Sequence, residues 1–342
     1  MDWLEQKYIG LLSNRLRNFK RKSGTLYNFS CPVCGDSSKN KSRARGFIFE
    51  KNGKSIYHCH NCAVTLSVPN FIKYIDQGLY DQYKLERVSG NKTKEQEEYE
   101  SFVEKLKKPA FITSGALKGL KKVSQLSPDH PIKKFVIERK IPNVYHAKLF
   151  SCPNFMHFTN DLVPNKFSAA ALAKDETRLV IPFLAADKSV HAYQGRSLKK
   201  GSGGVKYITI VLNESVPKIY GLDTVDNNKP ISVLEGPIDS MFVPNSIATA
   251  GGDLVSAVGS FDKSNLIIVY DNEPRSKETV KKLDKAILNG YNVCIWPDNM
   301  EHKDINDMVL AGLSPEFIEH IIKTNTYRDL SAKLALQKWS KV

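Results

Sequence analysis

The chain of 342 residues has room for two or three domains at roughly 100–200 residues each, and with 41% hydrophobic and 25% charged residues it is neither a fibrous repeat nor a disordered polyelectrolyte. Its net charge of +14 suits a polyanionic partner, and the surplus is uneven: residues 1–70 carry 12 basic and 4 acidic side chains, residues 71–229 carry 26 and 17, and residues 230–342 carry 12 and 15. No apolar run approaches the roughly 18 residues needed to span a bilayer, and Met1-Asp2-Trp3-Leu4-Glu5-Gln6-Lys7 lacks the basic and apolar regions of a secretory signal. A soluble protein of a reducing cytoplasm with no membrane partner is expected, its six cysteines serving as metal ligands or free thiols.

In chain order, the first signal is a pair of C-x-x-C turns, Cys31-Pro-Val-Cys34 and Cys59-His-Asn-Cys62. Each turn aims two thiolates at one point, and four thiolates at about 2.3 Å satisfy one tetrahedral structural Zn²⁺. His58 and His60 flank Cys59 and are the alternative ligands. Between the turns, Asn52-Gly53 predicts a tight hairpin that pairs Lys51 with Lys54 and Phe49 with Ile56: a zinc ribbon over residues 1–75. Lys41, Arg43 and Arg45 lead into Phe47, Phe49 and Tyr57, cations for phosphates beside rings that could stack on bases, although alternation requires some of these rings to pack in the ribbon's own core.

Residues 76–120 are polar and read as a helical or flexible linker, and residues 121–229 as a basic region with strands at Thr177–Leu184, Ser189–Gln194 and Val205–Leu212. A Gly-rich turn, Gly201-Ser202-Gly203-Gly204, falls between the last two. From residue 230 short apolar strands alternate with helical patterns: Ile231–Leu234, Ser246–Ala250, Leu266–Tyr270 and Asn292–Trp296, with helices over Pro237–Val243 and Ser276–Leu288. That alternation predicts βαβ units and a mostly parallel sheet, with its site beyond the strands' carboxyl ends. Residues 314–342 form a helical tail carrying Phe317, Leu330, Leu334 and Trp339, expected to pack on its own domain.

Acids stand at those ends. Glu235 follows one strand, Asp271 and Glu273 the next, and Asp298 and Asp304 the last. Alternate residues of an extended segment point the same way, so Asp271 and Glu273 can converge on one hard cation; Mg²⁺ or Mn²⁺ with triphosphate oxygens is the expected occupant.

Glu235-Gly236-Pro237-Ile238-Asp239 resembles the E-G-x-x-D motif and Asp271-Asn272-Glu273 the D-x-D motif of the Toprim domain, and the upstream zinc ribbon is similar to that of bacterial-type (DnaG-like) primases. The segments around Tyr193-Gln194-Gly195-Arg196, Val205-Lys206-Tyr207 and Lys218-Ile219-Tyr220 look like that family's basic motifs, and Lys303-Asp304-Ile305-Asn306-Asp307 like its late acidic motif. In order and size the chain resembles the primases of the T-even bacteriophage type, which would place it in the cytoplasm of a host cell. The resemblance implies an α/β fold, with a small β zinc ribbon followed by a Toprim-containing catalytic core: a basic subdomain over 121–229 and the Toprim subdomain over 230–313. It implies a nucleotidyltransferase that copies single-stranded DNA into RNA primers from ribonucleoside triphosphates. A replicative helicase (the primosome) and a single-stranded-DNA-binding protein are the partners. Glu235, Asp271, Glu273 and Asp304 would be catalytic and hold Mg²⁺, and Arg196, Lys206 and Lys218 would bind nucleotide or template. Glu273 in place of the second Asp of D-x-D departs from the family pattern. A Toprim nuclease or topoisomerase relative, and a non-catalytic zinc-ribbon protein that binds single-stranded nucleic acid, are the competing readings.

Overall fold

Local rules select the elements. In the computed structural model, which describes residues 1–36, 42–88, 94–107, 115–199, 205–251 and 253–342, helix α1 (Trp3–Leu11) opens on a capping box. The Asp2 carboxylate accepts the Glu5 N–H at 2.8 Å and the Glu5 carboxylate accepts the Asp2 N–H at 3.2 Å, pairing two donors that a helix start leaves orphaned. An antiparallel meander follows, β1 (Lys20–Ser23), β2 (Leu26–Phe29), β3 (Gly46–Lys51), β4 (Lys54–Cys59) and β5 (Thr65–Ser67), paired in that order. Asn52 and Gly53 both take positive φ, 52° and 73°, at the β3–β4 turn, and the register is Lys51↔Lys54 and Phe49↔Ile56 as expected. Helices α2 (Val68–Ile75), α3 (Gln77–Val88) and α4 (Lys94–Lys107) come next.

A second antiparallel sheet contains β6 (Lys121–Lys122), β7 (Phe150–Cys152), β8 (Arg178–Leu184), β9 (Val190–Ser197) and β10 (Tyr207–Val211) in the order β10-β9-β8-β7-β6, with α5 (Pro131–Glu138), α6 (Phe155–Leu162) and α7 (Ala169–Leu172) between its strands. The third sheet comprises β11 (Ile231–Leu234), β12 (Ser246–Ala248), β13 (Leu266–Val269), β14 (Asn292–Cys294) and β15 (Thr326–Tyr327), ordered β12-β11-β13-β14-β15. It is parallel except for β15. The helices that follow β11 in the chain are α8 (Pro237–Ser240), α9 (Leu254–Ala257), α10 (Lys277–Leu288), α11 (Ile305–Leu310), α12 (Pro315–Thr324) and α13 (Asp329–Trp339). Ser276 caps α10, and Gly290, at φ 76°, takes the chain out of it. The glycine turn at 201–204 lies outside the described residues.

The chain divides into two compact units, Met1–Tyr99 with Trp296–Asn325, and Glu100–Ile295 with Thr326–Val342. The first is built on Tyr8, Ile9, Tyr27, Phe29, Ile48, Tyr57, Phe71 and Tyr83, so α2 and α3 pack into it and its core reaches Tyr83, beyond the boundary drawn at residue 75 from sequence. In the second, one core lies on the antiparallel sheet around Phe155, Val180 and Tyr193, and another on the parallel sheet around Val233, Ile247, Ile268 and Val293. Ala332, Leu336 and Trp339 of α13 belong to that last core, and the Trp339 indole N–H donates to Asn272 at 3.1 Å, so the end of the tail packs on its own sheet. The helix α11, read from sequence within the domain over 230–313, and α12, read as the start of the helical tail over 314–342, are both grouped with the N-terminal module.

Candidate metal centre and active site

The two C-x-x-C turns meet. The Sγ atoms of Cys31, Cys34, Cys59 and Cys62 all lie within 4.8 Å of one another, with Cys31–Cys62 at 3.9 Å and Cys34–Cys59 at 3.8 Å. A tetrahedron with metal–sulfur bonds of about 2.3 Å has sulfur–sulfur edges of about 3.8 Å. The donor set therefore fits Zn²⁺. His58 turns its Nδ1 to Thr65 Oγ1 at 2.8 Å, which leaves the site to four cysteines.

Residues that the spacing alone did not single out shape this site. Tyr57 is fully buried and its hydroxyl donates to Cys31 Sγ at 2.9 Å. The carboxylate of Asp36 accepts the Cys31 N–H at 3.1 Å, holding the loop that presents the first pair. Asn61 donates its side-chain amide to Cys34 Sγ at 3.4 Å and its backbone N–H to Cys59 Sγ at 3.3 Å. Burial works to raise the Cys34 thiol, but hydrogen bonds from Asn61 and the backbone bring it down to about 7, while burial raises Cys31 and Cys59. N–H···S bonds favour the thiolate a metal needs.

Tyr57 requires a correction: it was expected among the base-stacking rings, but β4 turns it inward against Phe71 at 4.3 Å between centroids, so it is core and a supporter of the metal site. Phe47 and Phe49 share the opposite face of β3, half-buried, while Ile48 is fully buried. Phe47 meets the ring of His60 edge-on at 5.2 Å, and His60 meets His58 at 5.0 Å. Arg43 is exposed, the Arg45 guanidinium donates to Asn61, and Lys41 lies outside the described residues.

On the parallel sheet, β11 and β13 are adjacent with Leu234 opposite Val269, so Glu235 and Asp271-x-Glu273 leave the same edge at their carboxyl ends. All three acids are half-buried. Glu273 accepts from Thr279 Oγ1 at 3.3 Å, and a Cβ at Gly236 would come within 2.8 Å of Asp239 Oδ2. Lys282 of α10 is held protonated first by Glu278 and also by the nearby Glu235 and Asp253, a cation beside the acids that periodicity gave no reason to select. Asp304 caps α11 by accepting the Asp307 N–H at 2.7 Å and, like Asp298, belongs to the segment grouped with the N-terminal module. Among the described residues the four thiolates are the group of ligand atoms packed within 4.8 Å; the carboxylates are not drawn that tightly together.

Arg196 and Lys206 are brought side by side, because Arg196 of β9 pairs with Tyr207 of β10. The Arg196 guanidinium lies 4.7 Å from the Tyr207 ring and 5.0 Å from Phe135, and is 6% exposed. Burial lowers its pKa against the pull of Tyr207, and its Nε and Nη1 have no hydrogen-bond partner among the described residues. Lys206 and Lys218 are exposed. Cys152 and Cys294 are buried, and burial raises both thiols, Cys152 to about 12.

A four-thiolate metal module together with a mostly parallel sheet edged by acids defines a mixed α/β, metal-binding protein. No family model matches the sequence. The DNA primase of Enterobacteria phage T4 is 35% identical over 348 residues, a match covering all of this chain and 99% of that protein. The chain belongs to the DNA primase family. Among solved structures, the zinc-binding and RNA polymerase domains of Aquifex aeolicus primase align over 96% of this chain and 86% of theirs at 17% identity and a TM-score of 0.44. The RNA polymerase domain of Mycobacterium tuberculosis primase aligns over 70% and 87% at 18% identity and a TM-score of 0.46. A DnaG primase catalytic domain bound to single-stranded DNA aligns over 67% and 80% at 16% identity and a TM-score of 0.43.

Proposed function

We propose that this primase synthesises short RNA primers de novo on single-stranded DNA, as a nucleotidyltransferase of the Toprim type working with a replicative helicase. The observation that carries the reading is Glu235 and Asp271-x-Glu273 at the carboxyl ends of adjacent parallel strands in a chain 35% identical along its length to a DNA primase. In the reaction a 3′-hydroxyl attacks the α-phosphate of the next ribonucleotide and pyrophosphate leaves. Mg²⁺, or Mn²⁺, would supply charge stabilisation at the attacking and leaving oxygens when bound. Glu235, Asp271 and Glu273 would hold it, and Glu235 would take the hydroxyl proton if it is not itself a ligand.

Arg196, with two buried N–H donors awaiting acceptors, and the exposed Lys206 and Lys218 would grip triphosphate or template phosphates. The ribbon would read the template with Phe47, Phe49, Arg43 and Arg45, to which the fold adds His58 and His60. Its metal holds that face rigid; four thiolates leave no open position for chemistry.

One assay separates this reading from its rivals. Single-stranded DNA, four ribonucleotides and Mg²⁺ should yield new RNA oligomers. Cut DNA would indicate a nuclease, and neither product a binding protein.

A further inference from the structure

The N-terminal module has a second tether. The stretch Trp296–Asn325, grouped with Met1–Tyr99, leaves the chain just after β14 and rejoins it at β15, and those strands pair antiparallel through Val293↔Tyr327 and Cys294↔Thr326. Both ends of the excursion are thus fixed on neighbouring strands. What it presents to the module is specific. The Gly24 N–H donates to the Ala311 carbonyl, and any Cβ at Gly24 would overlap the backbone of Ala311 and Gly312. A Cβ at Gly10 of α1 would stand 3.7 Å from the Phe317 ring, and Trp3 meets His320 edge-on at 6.1 Å.

Arg21 of β1 is 7% exposed, with its guanidinium 5.3 Å from the Phe317 ring and 5.2 Å from the Tyr27 ring. It donates to Gln6 Oε1 at 3.2 Å and to the Gly24 carbonyl at 3.1 Å. Lys323 of α12 closes the far side, bridging Glu98 of α4 and the buried Glu319. A guanidinium caged by rings from both stretches, and a glycine whose missing side chain lets two backbones touch, mark a fitted interface rather than a casual one.

We propose that residues 296–325 are the intramolecular seat of the metal-binding module, which is therefore held by its own chain and not only through residues 89–120. Lending the module to a second copy would require leaving this seat, exposing Phe317 and stripping Arg21 of its cage.

The test uses the full chain with a protease site inserted between Lys107 and Gly115 and cut after purification. The two fragments should co-elute on gel filtration at the mass of a single chain, with zinc in the peak. The double variant Gly24→Val, Phe317→Ala should release the N-terminal fragment after cutting. Separation of the wild-type fragments in native buffer would overturn the proposal. So would a complex of twice the mass that exchanges fragments with a tagged copy, since the seat would then be another chain's, and so would a double variant that still co-elutes. The wild-type result needs no substitution, so it decides the matter even if a variant misfolds.

Discussion

Tyr57 illustrates how far a single side chain can be read. Its type and position beside basic residues fit a stacking ring, but the parity of β4 decides its face, and parity depends on which neighbours are covered by α2. Once inside, its hydroxyl donates to the Cys31 sulfur. Tyr57→Phe should keep the fold and weaken zinc binding by roughly 10–100-fold, read by competition with a colorimetric chelator. Cys59→Ser should do more: loss of stoichiometric zinc and of cooperative melting in residues 31–62, because metal binding in such modules is folding free energy. Glu319 gives a pH signature. Burial, opposed by Lys323 and reinforced by Glu98, raises its carboxyl to about 7, so between the ordinary Glu value of about 4.3 and about 7 the folded state holds a proton that the unfolded chain has shed. Stability from this group therefore grows as pH falls through that window and is lost as pH rises to 7. Thermal melts across it should show that slope in the wild type and a flatter one in Glu319→Gln.

At the scale of elements, what was legible was what short-range chemistry dictates. Asn52-Gly53 fixed the hairpin and its register, Ser276 and Gly290 bracketed α10, and the apolar runs beginning at Ile231, Ser246, Leu266 and Asn292 are strands within a residue or two of expectation. What escaped were elements whose reason is tertiary. β1 and β2 are charged or mixed four-residue strands, β2 recruited by pairing with β3 and β1 by pairing with β2, and β15 has two residues and exists because β14 offers an edge. α3 looked like linker because it is polar, yet Tyr83 meets Tyr8 at 5.4 Å between ring centroids. The tail was legible as helix, but the bond from Trp339 to Asn272 was not. Trp339→Ala should cost about 3–5 kcal/mol in urea unfolding of the parallel-sheet unit. Because Asn272 stands between Asp271 and Glu273, activity should fall by more than the loss of folded protein explains.

At the scale of the whole molecule, the acids could be found from strand order alone, since a parallel sheet gathers its strand ends on one edge whatever the side chains do. Their convergence could not, because it depends on rotamers, on a cation and on substrate phosphates. Nor could the grouping of α11 and α12 with the N-terminal module, an association between segments distant in sequence. The basic excess of residues 1–229 predicts template binding that weakens steeply with salt, a fall of about tenfold or more between 50 and 200 mM for several phosphate contacts.

The most direct measurement is the initial rate of dinucleotide formation on a single-stranded template at saturating ribonucleotide and Mg²⁺, comparing the wild type with Glu235→Gln and Asp271→Asn variants of unchanged melting temperature and zinc content. A fall of about 100-fold or more in each variant is the predicted result. Rates within about threefold of wild type, less than about 1 kcal/mol of barrier, would contradict the assignment of these acids to the chemistry.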